Sequence, residues 1–117
     1  MTPPDNKIRA SVASLRQLSG VPASFRLAGL FLMGTENGSI RFVLPDGRTV
    51  LFDQGKPGPQ AIVEVHSFGF AKRALAGGDI GFAESYMDGE WSTPDLTTVL
   101  KFFSANFEAA GKLAVRS

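Results

Sequence analysis

The sequence predicts an α+β domain in which short helices cover a small antiparallel sheet of about three to five strands. Two observations lead to this fold class. Apolar residues recur at the helical period toward both ends of the chain, and β-favouring runs joined by tight-turn sequences fill the middle. The chain has 117 residues, of which 44% are hydrophobic and 20% charged. That length and composition are typical of one globular domain with one packed core.

Residues 1–6 are polar and proline-rich, and they are predicted to form a flexible tail. Residues 7–117 are predicted to form the single α+β domain. The apolar spacing over 7–18 predicts a short first helix. A second helix is predicted over 25–33 with Ser24 as its N-cap, although a strand is the competing interpretation because the run is nearly all apolar. On that helix one face would be shared by Leu27, Leu30 and Phe31.

A β-hairpin is predicted in the middle of the chain, where Pro45-Asp46-Gly47 separates β-favouring runs over 38–44 and 48–52. Proline presets its backbone angle, aspartate tolerates the tight turn and glycine accepts a positive φ. The alternating run over 60–66 is expected to add a third strand to the same sheet. The apolar face of such a sheet requires a cover of helices.

Three short helices predicted in the second half of the chain supply that cover. Glycines end the first two, and a Thr-Pro-Asp sequence starts the third, because proline suits the first helical position and aspartate suits the positive end of the helix dipole. We predict the first helix over 68–76 with Ser67 as N-cap, the second from Asp79 as cap to Gly89, and the third from Thr93-Pro94-Asp95 to Gly111, with Trp91 in the turn before it.

The composition excludes several classes of site. The chain has no cysteine and a single histidine, which excludes disulfide scaffolds, thiolate-bound zinc or iron–sulfur centres and histidine-rich metal sites. A formal net charge of +1 argues against a nucleic-acid partner. No apolar run approaches the roughly twenty residues of a membrane-spanning helix, and the N-terminus does not resemble a secretory signal. We therefore expect a cytoplasmic protein.

Acidic residues are concentrated in one stretch of the second half, with no lysine or arginine between them. A pair of carboxylates for acid–base chemistry or a divalent-cation site is one interpretation. Helix caps together with ordinary solvated charges are the favoured alternative, because two of the residues stand at predicted helix starts. The residues are Asp79, Glu84, Asp88, Glu90 and Asp95.

Two further features of the sequence are candidate sites, His66 and a glycine-rich segment. His66 has no serine, cysteine or second histidine placed by sequence to complete a catalytic triad, so a structural histidine at a strand end is favoured over a general base. The glycine-rich segment over 77–81 is superficially similar to a phosphate-binding loop. It follows a predicted helix instead of a strand, however, and lacks the spacing of the known nucleotide-binding loops, which excludes that interpretation.

Aromatic residues crowd the three C-terminal helices, with more ring surface than one inward stripe per helix would use. The core is the preferred location for Phe68, Phe82, Tyr86 and Phe103. Phe70 and Phe102 fall off these stripes, so a contact face for a hydrophobic ligand or a partner is equally plausible for them. Lys72-Arg73 could meet a lipid phosphate, although a solvated helix face is the favoured interpretation.

The run Gly-Gly-Asp-Ile-Gly-Phe-Ala-Glu-Ser-Tyr-Met-Asp-Gly-Glu-Trp over 77–91 resembles the N-terminal domain of cyclopropane-fatty-acyl-phospholipid synthases. In that family a Gly-Asp-(aliphatic)-Gly-x-(Ala/Gly)-Glu-(Ser/Ala)-Tyr-x-x-Gly-x-Trp signature precedes an Asp-Leu-rich helix. The turn over 44–48, the strand over 61–66 and Asp95-Leu96 also fit, so the resemblance covers roughly 25–110. The layout of small sheet and short helices is, more weakly, similar to the sterol carrier protein type of lipid-binding fold.

The resemblance implies a non-catalytic accessory domain that engages lipid and docks onto a methyltransferase domain. In the family that second domain binds S-adenosylmethionine, transfers its methylene equivalent to unsaturated phospholipid acyl chains and holds the catalytic residues. This chain has no strand followed by a Gly-x-Gly cofactor loop, so no cofactor site, metal site or catalytic residue is expected here. The alternatives are a structural or oligomerisation domain and a free-standing lipid-binding protein similar to the sterol carriers.

The partners implied by the resemblance are the parent enzyme's own C-terminal methyltransferase domain, a phospholipid surface at the inner membrane face and a possible second copy of the chain, with no nucleic acid. Glycines around the motif would let two short helices approach closely, and Glu84 would point out of the core toward a partner. The hypothesised contact residues are Phe70, Lys72, Arg73, Glu84, Tyr86, Met87, Trp91 and Phe102.

Overall fold

The computed structural model describes residues 7–116, with side chains over 7–107. The tail predicted over 1–6 lies outside the described residues. None of the helices in the described range combines the length and the apolar character that crossing a bilayer requires. In chain order the elements are β1 Lys7–Arg9, α1 Val12–Gln17, α2 Ala23–Leu32, β2 Ser39–Val43, β3 Thr49–Asp53, β4 Gln60–Val65, α3 Gly69–Met87, β5 Trp91–Ser92 and α4 Leu96–Arg116.

The strands form one five-stranded sheet in the order β1-β3-β2-β4-β5, and the predicted α+β class with a helical cover is confirmed. The predicted hairpin is β2–β3, with Arg41 opposite Leu51 in antiparallel register, and β4 is the predicted third strand. The sheet differs from the prediction in being mixed, because β1 lies parallel to β3 and β4 lies parallel to β2.

The connection between β3 and β4 explains the parallel pairing. It crosses the start of β2, where the N–H of Gly38 donates to the Pro57 carbonyl at 3.2 Å and the N–H of Ser39 donates to the Pro59 carbonyl at 2.9 Å. A Cβ on Gly38, whose φ is +80°, would lie 1.9 Å from the Pro59 carbonyl oxygen. Only glycine permits this crossing, which brings β4 to the far side of β2.

The predicted first helix over 7–18 is wrong in its first part, because β1 takes those residues into the sheet edge. The shorter α1 starts after a reciprocal capping pair: Ser14 N–H donates to Ser11 Oγ at 2.9 Å, and Ser11 N–H donates to Ser14 Oγ at 2.8 Å. The second predicted helix is confirmed as α2, and the competing strand is excluded. Its N-cap position is Pro22 and not Ser24.

Two helical arms make up α3, because Gly78 interrupts the helix with φ 58° and ψ −137°. The predicted pair of short helices hinged by glycine is therefore confirmed. A Cβ on Gly81 would lie 2.0 Å from the carbonyl oxygen of Arg73. Residues eight apart in a straight helix are separated by about 12 Å, so the second arm folds sharply back on the first. Phe68, and not Ser67, holds the N-cap position, although Ser67 Oγ accepts the N–H of Gly69 at 3.2 Å.

The C-terminal segment departs from the prediction at two points. Trp91 lies in the short strand β5, paired with Val65 of β4, and not in a turn. The helix α4 starts where predicted and is capped by Asp95, whose carboxylate accepts the Thr98 N–H at 3.2 Å and the Thr98 hydroxyl at 2.8 Å. Pro94 precedes this cap instead of holding the first helical position, and α4 continues past Gly111 to Arg116.

The core lies on one face of the sheet, between the strands and all four helices. Phe42 of β2 contacts the rings of Phe25 on α2 and Phe70 on α3 at centroid distances of 5.7 and 5.9 Å. The ring contacts continue to α4 through Phe82 and Phe103, whose centroids are 4.9 Å apart. The opposite face of the sheet carries the partly buried and exposed residues of each strand, and none of the described helices packs on it.

Candidate functional site

The motif over 77–91 forms the second arm of α3 and the start of β5. Trp91 of β5 packs against this arm. The indole is buried and stacks on Phe82 at a centroid distance of 4.3 Å, and its centroid lies 4.8 Å from that of the tilted Tyr86 ring. Its Nε1 donates to Ser85 Oγ at 2.9 Å and lies 3.2 Å from the Phe82 carbonyl. The conspicuous Ser, Tyr and Trp of the motif are thus occupied in packing the second arm of α3 against the sheet edge.

Three of the clustered acidic residues converge on one cation, Arg73. Its Nη1 donates to Asp88 Oδ2 at 2.7 Å and to Glu90 Oε2 at 3.2 Å, and its Nη2 lies 3.9 Å from Glu84 Oε1. The hydrogen bond to Asp88, followed by that to Glu90, raises the pKa of Arg73 above its ordinary value despite partial desolvation. We call Arg73 with these three carboxylates the Arg73 cluster.

The Arg73 cluster bears on both interpretations of the acidic stretch. A cation already lies among these carboxylates, and the part of the chain that the structure describes contains no group of three or more histidine, aspartate or glutamate side chains arranged to hold a metal. Asp95 acts as a helix cap, as expected, whereas Asp79, expected as a second cap, lies exposed after Gly78 and makes no side-chain hydrogen bond to the described residues. The other three acidic residues form an ion-pair cluster that the sequence pattern did not indicate.

Glu90 also ties the motif to the start of α3. Its backbone carbonyl accepts the N–H groups of His66 and Ser67 at 2.9 and 3.0 Å. Its carboxylate lies against Gly69, where an added Cβ would be 3.2 Å from Oε1. That oxygen is buried and accepts no hydrogen bond from the described residues. Negative charge beside the first turn of a helix is favourable, because the helix dipole places partial positive charge there.

His66 has a serine partner that the sequence did not reveal. The register of β4 with β5 places Ser92 opposite Glu64, and Ser92 Oγ lies 2.7 Å from His66 Nε2 and donates to Glu64 Oε1 at 3.0 Å. Because an ionised carboxylate can only accept, the Ser92 hydroxyl donates to Glu64, and the tautomer of His66 that completes this arrangement donates from Nε2 to Ser92. This order of groups differs from that of a catalytic triad, in which the histidine lies between the carboxylate and the hydroxyl.

The structure separates the hypothesised contact residues into three groups. Phe70 and Phe102 are corrected to core positions, because α3 and α4 each pack against two neighbours and bury more than one stripe. Trp91 is corrected to the core as well, because in β5 its indole packs against Phe82 and Tyr86. Arg73 and Glu84 belong to the Arg73 cluster, so Arg73 is not a free positive charge beside Lys72. Tyr86 is half-buried, Lys72 is exposed, and Met87 is 74% exposed.

The glycine-rich segment over 77–81 forms the hinge of α3 and not a ligand loop. At its C-terminal end Gly81 lies directly against the Arg73 backbone. Gly77 and Gly78 are open in comparison, since an added Cβ at either position would meet nothing within 4 Å.

The exposed face of α2 is the candidate contact site. The helix buries Phe25, Gly29 and Leu32, whereas Leu27, Leu30 and Phe31 on its opposite side are 49%, 47% and 61% exposed. We call these three exposed residues the α2 stripe. Contiguous exposed apolar side chains mark surfaces that contact protein or lipid. The shared face was evident from the sequence, but its outward direction was not.

Comparison of the chain with protein-family models, with curated proteins and with solved structures finds no match. The resemblance to the N-terminal domain of cyclopropane-fatty-acyl-phospholipid synthases therefore stays a prediction that rests on the motif over 77–91.

Proposed function

We propose that the chain is a non-catalytic docking domain of an enzyme of the cyclopropane-fatty-acyl-phospholipid synthase type. In this role it engages lipid and holds the S-adenosylmethionine-dependent methyltransferase domain that performs the chemistry. The α2 stripe is the observation that carries the proposal, because three large apolar side chains on one helix face lie in water unless a partner covers them.

The motif contributes rigidity to this role. The Trp91–Ser85 hydrogen bond and the Arg73 cluster both join the two arms of α3 to neighbouring structure. Groups whose polar atoms are occupied in this way hold a scaffold in one shape, which lowers the entropy lost when a partner binds. A rigid scaffold that presents an apolar stripe is the arrangement a docking domain requires.

Lipid contact in this proposal takes place at the surface. Phe25, Phe42, Phe70 and Phe82 form a continuous series of ring contacts between sheet and helices. An acyl chain entering this layer would have to displace these rings. At the surface, each methylene group removed from water contributes about 0.8 kcal/mol to the free energy of binding. This argument favours a docking domain over a free-standing carrier of the sterol carrier protein type.

An oligomerisation domain is the second candidate, and the α2 stripe favours it as well. Two copies of the chain that face each other across a twofold axis would bury the same three side chains on both partners, as self-complementary dimer interfaces do. The two candidates differ in what covers the stripe, so one set of measurements separates them.

The test is titration of the chain with the methyltransferase domain of a cyclopropane-fatty-acyl-phospholipid synthase by calorimetry, with sedimentation velocity of the chain alone. We expect a complex and a monomeric free chain. Leu30→Glu/Phe31→Glu should weaken the complex at least tenfold, since an apolar anchor in an interface centre contributes about 2 kcal/mol. Leu100→Glu, which changes a 56% exposed leucine of α4, is the control and should leave it unchanged.

Other outcomes point elsewhere. A dimer of the free chain that the stripe variant dissociates, without binding to the methyltransferase domain, would establish the oligomerisation domain instead. If the chain forms neither a complex with the methyltransferase domain nor a dimer, both candidate functions are overturned. Circular dichroism of each variant checks that it is folded, as we expect because the substituted side chains are about half exposed or more.

A further inference from the structure

The sheet face that points away from the core forms a second surface, which none of the described helices covers and which we call the open sheet face. Strand register arranges its side chains in rows. Arg9, Leu51, Arg41 and Ile62 occupy successive strands of one row, and the next row contains Lys7, Thr49, Val43, Glu64 and Ser92. The arginines of the first row are exposed, and the aliphatic residues between and beside them are half-buried.

The cations of the open sheet face are free of carboxylate partners within the described range. Among residues 7–107, no acidic side chain lies at ion-pair distance from Lys7, Arg9 or Arg41. Arg9 Nη2 donates only to the backbone carbonyl of Asp53, at 3.0 Å. The acidic side chains of this face are otherwise engaged. Glu64 accepts from Ser92 at 3.0 Å, and Asp53 accepts the N–H of Gly55 at 2.8 Å.

Cationic side chains alternating with aliphatic ones suit a surface that presents phosphates above hydrocarbon. The guanidinium groups of Arg9 and Arg41 can meet phosphate oxygens. Leu51, between them in the register, and Ile62, beside Arg41, would lie against the outer part of the acyl layer. Single-stranded nucleic acid is a poorer fit, because its binding uses aromatic platforms. The described part of this face carries no phenylalanine, tyrosine or tryptophan.

We propose that the open sheet face binds the surface of an anionic phospholipid bilayer, an inference that rests on the proposed lipid-engaging function and assigns its lipid-contacting surface. The α2 stripe lies on the side of α2 opposite to the residues packed on the sheet. A chain bound to a bilayer through the sheet therefore leaves the stripe turned away from the membrane. The domain then bridges lipid on one side and a partner domain on the other.

The experiment is sedimentation of the chain with vesicles of phosphatidylcholine alone and with one quarter phosphatidylglycerol, at low and high salt. We expect binding to the anionic vesicles that weakens as salt rises, since salt screens exposed charges. Arg9→Gln/Arg41→Gln should lower the partition coefficient about fivefold for each arginine removed. Arg16→Gln/Lys101→Gln removes the same charge from α1 and α4 and should leave it nearly unchanged.

The proposal is overturned if the chain does not bind anionic vesicles, if both double variants lose the same amount, or if a single-stranded oligonucleotide competes the chain off the vesicles. The failure of the docking proposal looks different. Arg9→Gln/Arg41→Gln should still bind the methyltransferase domain, and Leu30→Glu/Phe31→Glu should still bind anionic vesicles. Each surface is thus tested independently of the other.

Discussion

The indole Nε1 of Trp91 donates to Ser85 Oγ at 2.9 Å, and the Ser85 hydroxyl donates in turn to the Phe82 carbonyl at 2.6 Å. Ser85→Ala leaves the indole with only the longer contact to that carbonyl. We expect the free energy of unfolding to fall by about 1–2 kcal/mol. Urea unfolding followed by the fluorescence of Trp91 measures this change.

The control is Thr97→Ala, at an exposed position of α4. It should change the free energy of unfolding by less than about 0.5 kcal/mol. An equal loss in both variants would contradict the role assigned to Ser85.

The close approach of Gly81 to the Arg73 carbonyl gives a second prediction. A Cβ at Gly81 meets backbone 2.0 Å away, so Gly81→Ala should destabilise the fold by about 3 kcal/mol. Gly77→Ala is the control, because its Cβ would meet nothing within 4 Å. It should stabilise the fold by about 0.5–1 kcal/mol through its helix propensity. Thermal unfolding of the two variants should therefore shift in opposite directions.

Phe102 and Met87 were both hypothesised as contact residues and now separate into core and surface. Phe102 is 0% exposed, whereas Met87 is 74% exposed. Phe102→Ala should cost about 3–5 kcal/mol in the free energy of unfolding. Met87→Ala should change it by less than about 0.5 kcal/mol. Chemical denaturation distinguishes the two, and similar values for both would mean that α4 does not pack as described.

Removing the cation of the Arg73 cluster should destabilise the domain in a salt-dependent way. Arg73→Gln leaves Glu84, Asp88 and Glu90 without their shared partner. We expect its melting temperature to fall, and to recover part of the loss in 0.5 M salt, where repulsion among the carboxylates is screened. Lys72→Gln removes a charge that is exposed and adjacent in sequence, and it should melt like the unmodified chain. Differential scanning calorimetry at two salt concentrations provides the comparison.

The Asp95 cap predicts a pH dependence. Hydrogen bonds from the Thr98 hydroxyl and then from the Thr98 N–H lower the pKa of Asp95 below its ordinary value. The stabilisation from this cap is therefore complete above the unfolded pKa of about 3.9 and is lost as the pH falls through the lower pKa of the folded state. Asp95→Ala should destabilise the domain at pH 7, with a difference that shrinks in acid.

An NMR titration of the Asp95 carboxyl checks the cause of that shift. Thr98→Val removes the hydroxyl that contributes most to it. The pKa of Asp95 should then rise toward its ordinary value. An unchanged pKa in Thr98→Val would assign the stabilisation to the helix dipole or to the remaining backbone hydrogen bonds.

The sequence predicts those parts of the fold that depend on short-range signals, such as a tight turn or a helix break. The Pro45-Asp46-Gly47 turn fixes the hairpin, and glycine marks the hinge at Gly78, so both were evident from the sequence. The strand β1 is too short to show a period, and its pairing with β3 involves residues far apart in sequence. The direction of β4 depends on which way a loop crosses Gly38, for which no local pattern exists.

The candidate site was less predictable, because its contacts join separate elements. Arg73 precedes the acidic stretch in sequence. It contacts these carboxylates because α3 folds back on itself at Gly78. One buried stripe per helix leaves Phe70 and Phe102 outside the expected core. That assumption fails for helices that pack against two neighbours. The α2 stripe was visible as a shared face, but only tertiary structure shows that this face points outward.

The crossing at Gly38 also constrains the order in which the chain assembles. The hairpin β2–β3 joins neighbouring segments and can close early, since short loops lose little entropy. The next strand can dock beside β2 only after the connecting loop has passed over the hairpin's end at Gly38. We expect the edge pairings, of β1 with β3 and of β5 with β4, to form last, because they join segments farther apart in sequence. Nascent chains would accordingly acquire their sheet from the centre outward.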